Sequence, residues 1–593
     1  MPRNPWRPIG GGRWVGNDMS EKFPVYTRAN AGEVYPFEYR PLSFSIAHEA
    51  GEAAMRRAVL ATGLIRSREI VDVPLSTALM SGVFGGYAYL NLSISRLASA
   101  RVPGGSATDA EATSLGVADA PEHVPVDDER NLRASLAGLR YAVRLIRRTE
   151  IPELDRDERQ IEAFLAALPD PATATDQELL DSTTDDLTER FSSWFETHLV
   201  VSMGAGALLS LLSQVVEQQL GDPSIATRLM SGIGDVDSAA PSLAMWELGR
   251  SIASSPTLTH EFDSGVSGIM ARLRGATEPD DASDRPVATF LDEFAAFTAE
   301  FGSRGPNEWD TAFDTWETDP ELALTLIDRM RLTDASHAPD AQHQRLAGER
   351  AELEAETMAG LKWPVRRLVA RVLSGARLHM QSRERAKTTI VRAIHGARLR
   401  GQELDRRLVE RSGGQRGDLW FLLKEELDDY IADPVSFLPL IAERRDLHDR
   451  LSERIPPFYV QGEMPPPAEW ELRSATVVQL SVGDTITGLS GCVGTARGRA
   501  RVVIDPGDPR GLEPGDILVA PHTDPSWTPL FVPAEAVVVD VGAPMSHAVI
   551  VSRELGIPCA ISVPDATRRI PDGALIEIDG GTGEVTVLEP AGD

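Results

Sequence analysis

A change of hydrophobic period near residue 455 constrains the fold more than any other feature of the chain. Before it, apolar residues recur at helical spacing in long runs: from Ala47 to about Ala100, Leu132–Arg148, Asp176–His198, 288–300, 319–331, about 339–411, 418–431 and 434–454. After it come short Val- and Ile-rich runs cut by Gly, Pro and Asp: Arg501–Ile504, Asp516–Ala520, Ala536–Val541, Cys559–Val563, Leu575–Asp579 and Glu584–Leu588. A large, mainly α-helical domain followed by a small β/α domain is therefore predicted. The expected division is an N-terminal arm at 1–25, a helical body at 26–454, a Pro-rich linker at 455–475 and the β/α domain at 476–593. Within the body, 26–46 mixes aromatics and prolines and reads as extended. Residues 102–127 and 275–286 read as loops poor in large apolar side chains. The segment 455–467 holds five prolines, as a joint between moving parts does.

Composition narrows the function. The chain has 593 residues, 42% hydrophobic and 25% charged, the profile of a folded soluble protein. Its net charge is 59 − 89 = −30, which argues against nucleic acid or an anionic membrane as partner. Two cysteines, Cys492 and Cys559, suit a reducing compartment. No export signal is evident in the first twenty residues. The most apolar stretch, Leu199–Val216, carries Ser202, Ser210, Ser213, Gly204 and Gly206 without basic flanks, so a buried core helix is expected there rather than a membrane span. A cytoplasmic location is expected.

The sharpest chemistry lies in VVVDVGAPMSHAVIVSRELGIPCA (537–560). A strand ends near Val541, a Gly-Ala-Pro turn follows, and Ser546 and His547 open a helix that closes at Arg553 and Gly556. Ser546 is a good N-cap, and the glycine suits a helix C-terminus. His547 thus meets the positive end of a helix dipole. That field disfavours imidazolium and keeps a lone pair free for attack; it then stabilises the negative charge of an attached phosphoryl group. A histidine that merely packs in a capping region is the plainer alternative on local physics alone.

The run from this turn to Arg-Glu-Leu-Gly-Ile-Pro resembles the phosphohistidine swivelling domain of pyruvate phosphate dikinase, phosphoenolpyruvate synthase and rifampicin phosphotransferase. APHTDPSWTPLF (520–531) is similar to the same domain. The resemblance covers roughly 490–590. It implies that His547 carries the phosphoryl group and shuttles it between distant sites. It also implies that Thr523, Asp524, Ser546 and Arg553 neighbour the phosphate. Each has a structural alternative: a turn residue, a cap, a helix-end charge.

The helical body resembles the acceptor-binding domain of rifampicin phosphotransferase in four places, in consistent order. These are RANAGEVYPFEYRPLSFS (28–45), FGSRGPNEWD (301–310) with ETDPEL (317–322), SRERAKTTIVRAIHGARL (382–399) and GDLWFLLKEEL (417–427). Residues 102–127 and 275–286 have no counterpart in it. Arg383 and Lys387 stand four apart on a helix, hence on one face, with Glu384 about 100° around the axis. Two cations converging from one face suit a phosphoryl group in flight. By resemblance this Arg-Glu-x-x-Lys pattern lies where shuttle and acceptor meet. A solvated basic stripe with Arg392, Arg398 and Arg400 is the alternative. Lysine is rare, with Lys22, Lys362, Lys387 and Lys424 the only four, so Lys387 stands out. Arg304 and Glu308 are candidates for substrate or phosphate contact, or a plain ion pair in a loop.

The resemblance implies ATP and Mg²⁺, yet no Gly-Lys dipeptide occurs, and Gly10–Gly12 lacks a preceding strand. A separate ATP-grasp subunit is therefore the expected partner, holding ATP and Mg²⁺. No metal-binding residues are expected in this chain. A phenol is a plausible acceptor, because its oxygen loses a proton more readily than an alkyl alcohol and a cationic site helps further. The chain also resembles the shuttle subunit of phenylphosphate (4-methylphenyl phosphate) synthase, in which ATP-binding and shuttle chains are separate. That similarity implies the reaction ATP + phenol + water → AMP + phosphate + phenyl phosphate. A rifamycin-type antibiotic phosphotransferase and a non-catalytic phosphocarrier are the alternatives. Leu199–Val216, with Met203 and Gly204, could line an acceptor pocket, with core packing the stronger reading.

Overall fold

The computed structural model describes residues 14–591 apart from 17, 71, 103–104, 109–119, 127, 223, 235–239, 276–284, 334–337, 508–510 and 545. Gly10–Gly12, most of the arm, and much of the two expected loops at 102–127 and 275–286 lie outside the described residues. The chain is 57% helical with a C-terminal sheet, so the sequence of a helical part and then a sheet-bearing part holds. It forms two compact units. Unit 1 comprises Met1–Leu208, Trp309–Ala312 and Leu378–Thr476. Unit 2 comprises Leu209–Glu308, Phe313–Arg377 and Val477–Asp593.

Unit 1 is helical but not wholly so. Ser81–Phe84 and Tyr87–Asn91 form a hairpin inside the stretch expected to be helical. Its two-residue loop, Gly85-Gly86, has φ of 59° and 85°, the left-handed backbone that a tight primed turn requires. Val25–Thr27 pairs with this hairpin, and Tyr459–Gln461 pairs with Val25–Thr27, making a four-stranded sheet. The Pro-rich 455–467 segment is therefore folded onto the unit. Pro cannot serve a central ladder but is tolerated beside a three-residue edge strand. Nearby Trp470 joins the aromatic core of Trp14, Tyr26, Phe84, Tyr87 and Tyr89.

The long helical stretch expected at 339–411 is two helices, Pro339–Gly360 and Trp363–Ser412. Pro364, next to the start of the second, fits only a first turn. The Leu199–Val216 stretch belongs to the Asp185–Leu220 helix and is not fully buried. Val201, Gly204, Ala205, Leu208, Leu212 and Val216 bury one face, and the rest is partly exposed. By length and composition, the helical region Asp176–Leu220 is long and apolar enough to cross a membrane; 33% of its apolar window is buried.

Unit 2 carries an eight-stranded sheet in the order Leu489–Cys492, Cys559–Ile561, Ala536–Val539, Ile517–Ala520, Thr495–Val502, Leu575–Asp579, Glu584–Glu589, Thr485–Thr487. Strands Thr495–Val502, Ile517–Ala520, Ala536–Val539 and Cys559–Ile561 run parallel, and the flanking pairs are antiparallel. The sequence explains the difference. Ile-Leu-Val-Ala and Ala-Val-Val-Val are apolar at every position and buried on both faces, as parallel strands are. Leu575–Asp579 and Glu584–Glu589 alternate, with one face buried. One sheet face packs under the His547–Leu555 helix and shares its core with Met245, Phe294 and Ile327 of the unit's helices and with Trp316 of a turn between them. Trp527, Leu530 and Phe531 sit in that core, 0–1% exposed. Each contributes roughly 1.5–3 kcal/mol by burial. The other face closes over Ile517, Val519, Val538 and Ile576.

Candidate functional site

Two neighbouring parallel strands build the histidine site. Ile517–Ala520 pairs in register with Ala536–Val539, from Ile517↔Ala536 to Ala520↔Val539. Both strands therefore end at the same edge, where open α/β sheets place their ligands. The loop leaving the first carries Thr523, Asp524 and Thr528. The loop leaving the second delivers His547 as the first residue of the His547–Leu555 helix.

The imidazole is 6% exposed and held at both nitrogens. Thr528 Oγ1 lies 3.0 Å from Nε2, and Thr523 Oγ1 lies 3.1 Å from Nδ1. A neutral ring donates through one nitrogen and accepts at the other, so one threonine accepts and its counterpart donates. Phe531 meets the ring edge-on at 5.9 Å. The pair of hydroxyls fixes the ring plane over the helix start.

Ser546 occupies the N-cap with extended backbone (φ −70°, ψ 163°), but its side chain makes no capping bond. The expectation of a Ser546 side-chain cap is thus corrected. Oγ is buried and without a hydrogen-bond partner. The first-turn amides, which have no intrahelical acceptor, are not used up by it. At the other end Gly556 has φ 68°, and a Cβ there would come within 2.8 Å of Leu346, so glycine is needed for both backbone and space.

Asp524 is buried. One carboxylate oxygen accepts from the Ser526 amide (2.8 Å) and hydroxyl, the other from the Asn307 amide at 3.1 Å. Burial raises its pKa, and the Glu308 carboxylate adds to the rise. The Phe301–Glu308 end of the turn segment thus meets the Thr523–Asp524 loop. Arg304 and Glu308 are 2% and 1% exposed and form an ion pair at 3.3 Å. The loop ion pair is present, and it is buried beside the histidine site.

Arg553 lies six residues beyond His547, about 9 Å along the helix. Its guanidinium donates to the Gly491 carbonyl at 3.2 Å, among Cys492 and Cys559. The guanidinium thus packs under the sheet edge rather than at the imidazole. The spacing of six, which turns the side chain about 120° away from His547, could have shown this.

Arg383, Glu384 and Lys387 belong to unit 1. Arg383 donates to the buried Glu384 carboxylate at 2.7 Å. Of the alternative basic stripe, Arg392 is exposed, Arg400 donates to the Pro169 carbonyl, and Arg398 is completely buried. Sequence reasoning passed over His198, also in unit 1, which feels all three charged side chains. Burial first, then Arg383 and Lys387, lower its pKa to about 3, with Glu384 opposing. The signal was available, since Phe191, Phe195 and His198 stand at i, i+4 and i+7 of one helix.

Two segments of the chain match models of known protein domains. Residues 197–384 match the model of the rifampicin phosphotransferase fourth domain, and 512–583 match the mobile domain of PEP-utilising enzymes. An uncharacterized protein of Mycobacterium tuberculosis is 35% identical over 326 residues, covering 54% of this chain and 34% of that protein. Rifampicin phosphotransferase of Streptomyces sviceus is 29% identical over 391 residues, 64% of this chain and 43% of the relative. The prodigiosin synthesizing transferase PigC of Serratia marcescens is 26% identical over 441 residues, 72% and 48% respectively. The chain thus spans about a third to a half of these relatives. The segment that carries His547 is thus similar to the mobile domain of PEP-utilising enzymes, and part of the helical body to a rifampicin phosphotransferase domain.

Proposed function

We propose that this chain is the shuttle and acceptor-binding part of a phosphotransferase, passing a phosphoryl group from His547 to the hydroxyl of a phenolic compound. One observation carries the reading. An imidazole stands at a helix N-terminus, oriented by two threonine hydroxyls, beside an unpartnered serine hydroxyl. Such a ring can attack phosphorus through one nitrogen once its threonine swings aside. Ser546 Oγ and the first-turn amides then face the new anion.

The histidine is charged from ATP on a separate ATP-grasp subunit, with Mg²⁺ on that partner and AMP and phosphate released. In the second step the acceptor oxygen lines up with the N–P bond, and cations offset the charge of the equatorial oxygens. Arg383 and Lys387 are the residues of this chain suited to that task. Arg304, Glu308 and Asp524 hold the loops around the histidine; they are positioning residues rather than phosphate ligands.

A rifamycin-type hydroxyl is the second reading, favoured by the match of 197–384 to the rifampicin phosphotransferase domain. One experiment separates the two. The chain is loaded with labelled phosphoramidate, which phosphorylates imidazoles without a nucleotide partner, and then offered phenol, p-cresol or rifampicin. Acid-labile, alkali-stable label that His547→Ala lacks, and that phenol converts to phenyl phosphate, is the expected result. Discharge to rifampicin alone would replace the phenol, and absence of label would remove the relay.

A further inference from the structure

Unit 1 contains a second histidine environment that the relay does not use. On the Asp185–Leu220 helix, Phe191 stacks on Phe195 at 5.2 Å, and Phe195 on His198 at 6.0 Å. Trp309 closes the row from a turn segment, 5.9 Å from Phe195 and 5.6 Å from His198. Phe191 and Trp309 also line a cavity with Tyr35, Tyr39 and Ile394. Aromatic rings pack offset or edge-to-face at these spacings, and Phe195 and His198 are only part-buried, so a further ring would extend the row from their open side.

The polar end of this row is unsatisfied. The His198 ring hydrogen-bonds the main chain at Arg383, while its Nδ1 is sealed from solvent and has no hydrogen-bond partner. With the donated proton on the other nitrogen, Nδ1 carries a bare lone pair. A buried acceptor without a donor is destabilising and in native proteins asks for an explanation. Burial and the nearby Arg383 and Lys387 keep the ring neutral against the opposing charge of Glu384.

We propose that the part-exposed end of this aromatic row is the acceptor subsite: a phenol ring lies against Phe195, with its hydroxyl donating to His198 Nδ1. The assignment rests on the phosphotransferase reading and adds the residue that recognises the hydroxyl. The same lone pair receives the proton during transfer. The O–P bond forms, and the N–P bond breaks with its electron pair staying on the leaving His547 nitrogen. The second nitrogen of that ring already carries a proton, so it leaves as neutral imidazole, and the acceptor's proton rests on His198. A phosphoryl anion beside Arg383 and Lys387 offsets the charges that hold His198 neutral, so the base strengthens when it is needed.

The test is equilibrium binding to the full chain, phenol against anisole, by ligand-observed NMR. Anisole keeps the ring and lacks the donor. The wild type should bind phenol more tightly than anisole by roughly tenfold or more. His198→Phe should bring the ratio to about one while both ligands still bind, and His198→Gln, which keeps a polar acceptor, should retain part of it. Equal binding of phenol and anisole by the wild type, or a preference that survives in His198→Phe, overturns the assignment. Binding needs no phosphoryl group, so a chain that selects phenol but never loads His547 would refute the relay and leave this subsite standing. A chain that loads His547 but ignores the hydroxyl would do the reverse.

Discussion

The two histidines, one in each unit, show how environment turns the same side chain to different work. His547 begins a helix at the end of a parallel sheet, and each of its nitrogens meets a threonine hydroxyl. His198 sits within a helix, stacked in an aromatic row, with one nitrogen bare and cations close by. The first environment is polar and adjustable, suited to a ring that gains and loses an anionic group. The second is dry, suited to a ring that only exchanges a proton. Neither environment would serve for the other task. A phosphoryl group does not fit a stacked aromatic row, and a lone pair already accepting from a threonine hydroxyl is a poorer proton acceptor than a bare one.

Exchanging the roles in experiment tests that contrast. His547→Ala should abolish both loading and product, because it removes the ring that carries the phosphoryl group; phosphohistidine by ³¹P NMR and phenyl phosphate release read the two steps. His198→Phe should load His547 and then discharge it to phenol roughly 100-fold more slowly, the usual scale for a lost general base. The acceptor 4-nitrophenol, already a phenolate near neutral pH, should restore most of that rate. Loss of loading in His198→Phe, or an equal slowing with 4-nitrophenol, would erase the distinction between the two rings. Smaller again is the effect of the threonines. Thr523→Val and Thr528→Val should each slow loading by about tenfold, one more than the other, since each removes one partner of the ring and only one of the two nitrogens attacks. Equal rates in both variants and the wild type would mean that the hydroxyls do not orient the imidazole.

The sequence made one half of this comparison legible. Val-rich runs apolar at every position announce buried parallel strands, and Gly-Ala-Pro followed by Ser-His announces a strand, a turn and a helix start. The short runs at Thr485–Thr487 and Leu489–Cys492 escaped because three or four residues with Gly and Ser carry little β signal. The hairpin at 81–91 was readable from Gly-Gly between aromatic and β-branched residues, but the helical pattern on either side masked it. The side-chain direction of Ser546 follows from its surroundings rather than its identity, so a sound capping rule still placed its hydroxyl wrongly. His198 was missed for a related reason. A lone histidine at helical spacing with phenylalanines looks like core, and only packing shows which ring nitrogen is left bare. That Arg304, Glu308 and Asp524 gather at one place depends on two loops more than 200 residues apart, a pairing no local pattern encodes.

The smallest expected effect concerns the far end of the His547 helix. Glu554 is buried, accepts the Ile233 amide at 3.3 Å, and has its pKa raised by burial to about 7, against weaker lowering by the Ile233 and Gly234 amides and Arg350. Asp540, under the loop that leads to His547, is likewise raised by burial to about 7 while bonded to Thr567. A carboxyl raised on folding binds its proton more tightly in the folded chain. Its stabilising contribution is complete below the unfolded value near 4 and is lost as pH rises through about 7. Unit 2 should therefore melt lower at pH 8 than at pH 5. Glu554→Gln, which cannot ionise and keeps an acceptor for the amides, should remove on the order of 1 kcal/mol of that dependence. The dependence left in Glu554→Gln reports Asp540. Differential scanning calorimetry across pH 5–8 reads both, and a Glu554→Gln curve parallel to the wild type would show that the carboxylate is solvated as the helix end moves. The dry environment would then be confined to unit 1, and the contrast between the two histidines would extend to the helices that carry them.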